Sequence, residues 1–157
     1  MKKFVRAAVL LCALFLCARV SFAAEVPSWV DADCYYQGDP NYVYVQGYHG
    51  TDIYIDVSSI VPKLYEPPEY EISAIAMIVD LQLGTQRYVA KTWHYHYDPQ
   101  NEKRLMFVWT DGEEENWRYV PKFGEKGECM ANTVLVRLGG EFVWWKCYQM
   151  NFYYNKR

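Results

Sequence analysis

The sequence has little of what most active sites are built from. Histidine occurs only three times in 157 residues, at His49, His94 and His96. No Gly-x-Ser-x-Gly turn offers a serine nucleophile, and no glycine-rich loop is set to cradle a phosphate. Basic charge is scarce and scattered: 16 Lys and Arg stand against 19 Asp and Glu. Nothing clusters them into the footprint that displaces counterions from phosphates, so neither nucleic acid nor an anionic membrane surface suits this chain as a partner. The uninterrupted apolar run from Ala7 to Ala18 falls short of the roughly 20 residues that span a bilayer as a helix. Internal repeats and low-complexity tracts are lacking, and the Pro67-Pro68 pair reads as a stiff charged loop between Glu66 and Glu69, not as a domain linker.

What is present at the start has the three parts of a secretory signal. Lys2, Lys3 and Arg6 precede the apolar run, and Ser21-Phe22-Ala23 supplies the small residues a signal peptidase needs. Cleavage after Ala23 is expected, leaving residues 24–157 as one β-rich domain. Cys12 follows Leu11 and Cys17 follows Leu16, so the small residues that precede a lipid-bearing cysteine are missing and no covalent lipid is expected. Cleavage removes Lys2, Lys3, Arg6 and Arg19, so 12 basic residues would face 19 acidic ones, a net charge of −7. The expected location is outside the cytoplasm, whether periplasmic, on the cell surface or secreted, with no stable membrane span once the signal is gone. Three cysteines remain, Cys34, Cys129 and Cys147; an oxidising compartment allows one disulfide among them, and the sequence leaves all three pairings open.

Tyr, Val, Ile, Trp and Thr recur with a period of two between turn residues, the rhythm of short strands. Such strands are expected at Tyr42–Val45, Ile53–Val57, Ile72–Leu83, Gln86–Tyr97, Arg104–Thr110 and Trp117–Val120. In Gln86–Tyr97, the set Val89, Lys91, Trp93, Tyr95 and Tyr97 reads as the buried side, and Tyr88, Ala90, Thr92, His94 and His96 as the other. Asp98-Pro99-Gln100-Asn101 then turns the chain back into the next strand. Over residues 133–152 two readings compete. Gly139-Gly140 fits a hairpin turn, whereas Val134, Leu138, Phe142, Trp145, Tyr148 and Phe152 mark a helical stripe, against which each glycine costs roughly 1 kcal/mol. The fold expected is α+β: a dominant antiparallel sheet in meander order with a helix at the C-terminal end.

Among candidate sites, His94 and His96 project to one strand face and would share a metal ion only if His49 or a carboxylate such as Asp98 converged on them. That would make a metal-dependent hydrolase of the envelope. Glu113, Glu114 and Glu115 with Asp111 lack the spacing of a calcium loop and read as a solvated turn. Asp98 with Asp111 has nothing to fix the separation a carboxylate pair needs, and none of Cys34, Cys129 or Cys147 sits in an activating setting. The unusual feature is aromatic content: 25 Phe, Trp and Tyr remain after residue 23. Tyr35, Tyr36, Tyr42, Tyr44 and Tyr48 crowd one stretch beside Tyr54, and exposed rings with a hydroxyl at the edge suit protein partners or sugars.

Two passages carry a family likeness. Tyr54-Ile55-Asp56-Val57-Ser58-Ser59-Ile60 reads as a strand ending in a turn, and Gly140 to Tyr153, with its Phe142-Val143-Trp144-Trp145 centre, as a closing segment. With Trp29, they resemble small exported bacterial proteins related to the surface-adhesin protein E family. The resemblance implies an antiparallel sheet packed with a terminal helix and a non-catalytic, adhesin-like role at the cell surface or in the periplasm; it transfers no site residues. The function expected is therefore binding of a protein or glycan without catalysis and without a cofactor; a structural or assembly subunit of the envelope is a further alternative.

Overall fold

Alternating Tyr and Val carry strand β1 (Tyr42–Tyr48) to a turn at His49 and Gly50, both with positive φ, 48° and 78°. Two left-handed residues match the twist of a tight hairpin, and a glycine at the second adopts that backbone without strain. The chain returns as β2 (Thr51–Glu66), reverses at Pro67-Pro68, and continues through β3 (Glu69–Asp80), β4 (Gln86–Asp98), β5 (Lys103–Trp109) and β6 (Trp117–Val120). Helix α1 (Thr133–Tyr148) follows. The computed structural model describes residues 26–30, 34–109, 117–122, 125 and 133–153. Residues 1–23, read above as a signal peptide, together with Cys129, Asp111 and Glu113 to Glu115, lie outside them.

The six described strands lie side by side in chain order, each antiparallel to the next, so the sheet is a meander, with α1 packed on one face. One expectation needs correction. The strand through Tyr54 does not end at Val57: it runs on to Glu66 across register shifts between Asp56 and Val61 and between Pro62 and Leu64. Asp56 Oδ1 accepts from the Ser58 amide and hydroxyl, at 2.9 and 2.6 Å, so the turn chemistry read in the sequence makes a bulge inside a strand. Pro67-Pro68 is accordingly the tip of a long hairpin, Glu66 pairing with Glu69. Likewise β3 starts three residues before Ile72 and stops at Asp80, whose Oδ1 caps the turn by accepting from the amides of Gln82 and Leu83.

One face of the sheet makes the core. Val43, Ile55, Ile72, Ala76, Trp93, Tyr95, Met106 and Val120 bury there against Val136, Phe142, Val143, Trp144 and Phe152. The side of β4 expected to be buried is the one that is, with Trp93 and Tyr95 fully covered. Gly139 and Gly140 fall inside α1, and they are what brings it so close to the sheet. A Cβ on Gly140 would meet Met106 Sδ at 2.5 Å and Trp93 Cδ1 at 2.8 Å. The bare backbone is used in its place: Trp93 Nε1 donates to the Val136 carbonyl, and the Tyr95 hydroxyl to that of Gly140, both at 2.8 Å. Glu141 is buried with the core, and its carboxylate receives the amides of Phe152 (3.1 Å) and Tyr153 (2.8 Å), folding the segment after the helix back upon it.

Candidate functional site

Because side chains alternate along a strand, packing α1 on one face leaves the other, among the described residues, free of helix. Two groups of side chains stand on that second face, toward opposite ends of the sheet.

The first is a tyrosine group. Register places Tyr44 beside Tyr54, Tyr54 beside Met77, and Met77 beside Tyr88, a row straight across β1 to β4. Tyr44 and Tyr54 meet edge to face with ring centroids 5.6 Å apart. Tyr36, on a short 3-10 turn before β1, closes over the row at 5.2 Å from Tyr54 and 6.5 Å from Tyr42, its hydroxyl receiving Gln86 Nε2. Met77 is buried under these rings, while Tyr88 is 55% exposed. Burial raises the hydroxyl pKa values of Tyr44 and Tyr54, and Asp52 reinforces both shifts; Tyr42 is raised first by neighbouring Tyr88. The rings therefore stay protonated donors across the physiological range.

Of the five tyrosines proposed from the sequence, Tyr36, Tyr42 and Tyr44 come together here. Tyr35 does not: it bridges to Val43 and packs against the core on the helix side. The Tyr48 side chain lies outside what is described. Tyr54 and Tyr88 join the group without having been proposed as site residues. Their signal was in the alternation, since Tyr88 falls on the side of β4 read as facing away from the core.

The second group mixes acids, imidazoles and rings. β3 brings Glu69 opposite His96 and Glu71 opposite His94. Glu69 uses both oxygens, Oε1 at 2.6 Å from His96 Nδ1 and Oε2 at 2.8 Å from His94 Nε2. Glu71 Oε1 stands 3.4 Å from His94 Nδ1. Burial works to raise the Glu69 pKa, but hydrogen bonds from His96 and His94 outweigh it and hold the carboxyl below its usual value. Beside them lie Phe107 and Trp117, with ring centroids 6.1 and 5.5 Å from that of His94, and Trp109, 5.1 Å from Trp117.

The three imidazoles weighed as metal ligands are not gathered. His49 occupies the β1–β2 turn, next to Thr51 and its partner Asp80, whereas His94 pairs at Glu71. The stretch of β3 between Asp80 and Glu71 puts them about 30 Å apart at 3.3 Å per residue. Among the described residues no group of three or more His, Cys, Asp or Glu is placed to hold a metal ion. Asp98 is a turn residue, its Oδ1 accepting from the amides of Gln100 and Asn101. Cys147 is a half-buried thiol whose pKa is raised by burial, the opposite of an activated nucleophile. Cys34 and Cys147 are not bonded to each other. No described helix is long and apolar enough to cross a membrane. No protein-family model, curated protein or solved structure matches the chain.

Proposed function

We propose that this chain is an exported, non-catalytic binding domain of the cell envelope or its surroundings, adhesin-like, which contacts a protein or glycan through the helix-free face of its sheet. The observation that carries this reading is the convergence of Tyr36, Tyr42, Tyr44 and Tyr54 with exposed Tyr88 on one face, locked by edge-to-face contacts. Rings fixed before binding lose little conformational freedom on contact, and their hydroxyls add directional hydrogen bonds. The signal-like first 23 residues and the likeness to the protein E family support an envelope setting.

The test is a panel of soluble oligosaccharides and purified secreted proteins presented to the wild-type chain, followed by the best ligand presented to Tyr36→Ala, Tyr42→Ala, Tyr88→Ala and their combination. An anchoring ring is worth about 2 kcal/mol, roughly a 30-fold loss of affinity. Near-ultraviolet dichroism checks that the fold is retained. Undiminished affinity in the combined variant would remove this face from the interaction.

A further inference from the structure

Charge is divided between the two sides of the sheet. Cross-strand partners share a face, so the register sorts the side chains. Asp52 stands in a row with Val79, Asp56 with Ile75, Glu66 with Glu69, Glu71 with His94, and Asp98 with Lys103, all on the helix-free side. Of the carboxylates carried by described strands, only Asp80, which caps the turn after β3, falls outside this set. The strand cations go the other way. Arg87 pairs with Ile78, Lys91 with Ala74 and Arg118 with Val108, each partner a residue of the core, and Arg104 donates to the Asn151 and Phe152 carbonyls. Lys103 is the exception, and Lys63 lies in the register shift between Pro62 and Leu64.

The same side keeps apolar surface in view. Ile75 is exposed between Asp56 and Ala90, and Tyr88 rises beside it in the next row. Asp52 Oδ1 and the Tyr44 hydroxyl converge over Gly47, where a Cβ would stand 2.6 and 2.9 Å from them. Asp56 uses Oδ1 on the amide and hydroxyl of Ser58, which leaves Oδ2 with no described partner. Neither Asp52 nor Asp56 forms an ion pair with a described residue, whereas Glu69 and Glu71 are engaged by His94 and His96. An apolar floor bordered by carboxylates and ring edges suits a long stem that ends in a cation. Arginine meets every part of it: its methylenes lie on apolar surface, its guanidinium forks onto a carboxylate, and its plane stacks on an aromatic ring.

Resting on the reading that this face binds a partner, we propose that the partner is a basic protein segment, laid across β2 to β4 with its cations at Asp52 and Asp56 and its stems over Ile75, Ala90 and Tyr88. The division of charge selects for it. A neutral sugar gains nothing from the carboxylates, and an acidic peptide is repelled by them.

The experiment is titration of the ¹⁵N-labelled full chain with hexa-arginine, hexa-glutamate and maltohexaose, followed by amide shifts at low and at physiological ionic strength. Hexa-arginine is expected to move the amides of Asp56, Ile75, Tyr88 and Ala90, and to bind more weakly as salt is added. The double variant Asp52→Asn with Asp56→Asn keeps the side-chain acceptors and removes only charge, and should lose about tenfold in affinity, the sum of two partly screened pairs. Removing two charges away from the face, by Asp80→Asn with Glu102→Gln, should change affinity by no more than about twofold. Equal losses in the two double variants would mean that hexa-arginine answers to net charge alone, and would overturn the proposal. Maltohexaose bound at the same amides, equally in wild type and in the Asp52 and Asp56 variant, would keep the face as a binding surface and overturn its basic partner. A larger species of the unliganded chain on size exclusion at low salt, refractory to hexa-arginine, would make a second copy the occupant and overturn it too. Failure of hexa-arginine to move these amides overturns it outright, and the tyrosine variants then decide whether the face binds anything.

Discussion

Glu69 is the residue on which the acid-imidazole group turns, since each of its oxygens serves a different histidine. Its lowered pKa has a signed consequence. A carboxyl whose folded value lies below its unfolded one adds stability that is present above the unfolded value, about 4.3, and is lost as pH falls through the folded value. Urea midpoints of wild type should therefore decline between about pH 5 and pH 3 more steeply than those of Glu69→Gln. Asp98, lowered by its hydrogen bond from Asn101, titrates over the same window in both proteins, so the difference between the two curves isolates Glu69. Parallel curves would show that the two hydrogen bonds do not favour the ionised form. Glu69 carries a side chain more than a third exposed, and the effect is accordingly modest. Of this group the sequence displays half: His94 and His96 are alternate residues of one strand and visibly share a face. Their acid partners are 23 to 27 residues earlier and meet them only through the register of the β3–β4 pair, which alternation alone does not specify.

At the level of elements, strands were the most legible feature, because aromatic and β-branched residues alternate and Asp-rich turns separate them. The turn at Asp98 to Asn101 and the buried side of β4 follow directly from that pattern. What misled was local chemistry reused in another context. Asp56 with Ser58 makes the hydrogen bonds of a turn, yet Val61 and Pro62 resume the ladder and the result is a bulged sixteen-residue strand. Gly139-Gly140 is a similar case: as a dipeptide it fits a hairpin, and the bulk of Trp93 and Met106 across the interface explains two glycines within a helix. Gly140→Ala follows from this as a prediction that opposes propensity. Alanine favours an isolated helix by roughly 1 kcal/mol. Here its Cβ would lie 2.8 and 2.9 Å from Trp93 Cδ1 and Nε1, and Trp93 is pinned by its bond to the Val136 carbonyl. Met106 has a flexible end and can yield; the indole cannot. A net loss of about 1–3 kcal/mol is expected, typical of overpacking, seen as a lower melting temperature in calorimetry. A variant as stable as wild type would mean that α1 can lift from the sheet without loss.

For the whole molecule, the meander and its helix divide the surface into two unlike sides. Hairpin connections keep every strand beside its sequence neighbour, and α1 then seals one face, so the charged and aromatic residues that α1 does not cover are gathered on the other. A face carrying rings, carboxylates and imidazoles together is suited to meeting something outside the protein, and export would decide what it meets. If residues 1–23 are removed, four basic residues and no acidic one depart, and the net charge moves from −3 to −7. Processing would therefore make the chain as a whole more acidic, and a cationic or neutral ligand a better match than an anionic one. Expression of the full-length gene in a bacterial host, followed by fractionation and N-terminal sequencing, checks the premise. Protein outside the cytoplasm should begin at Ala24, within a residue or two, and an Ala23→Tyr variant, which places a bulky ring at the cleavage position, should accumulate uncleaved. Protein that begins at Met1 and stays wholly in the cytoplasm would separate the two halves of the argument: the sheet face would stand, and its partner would have to be sought inside the cell.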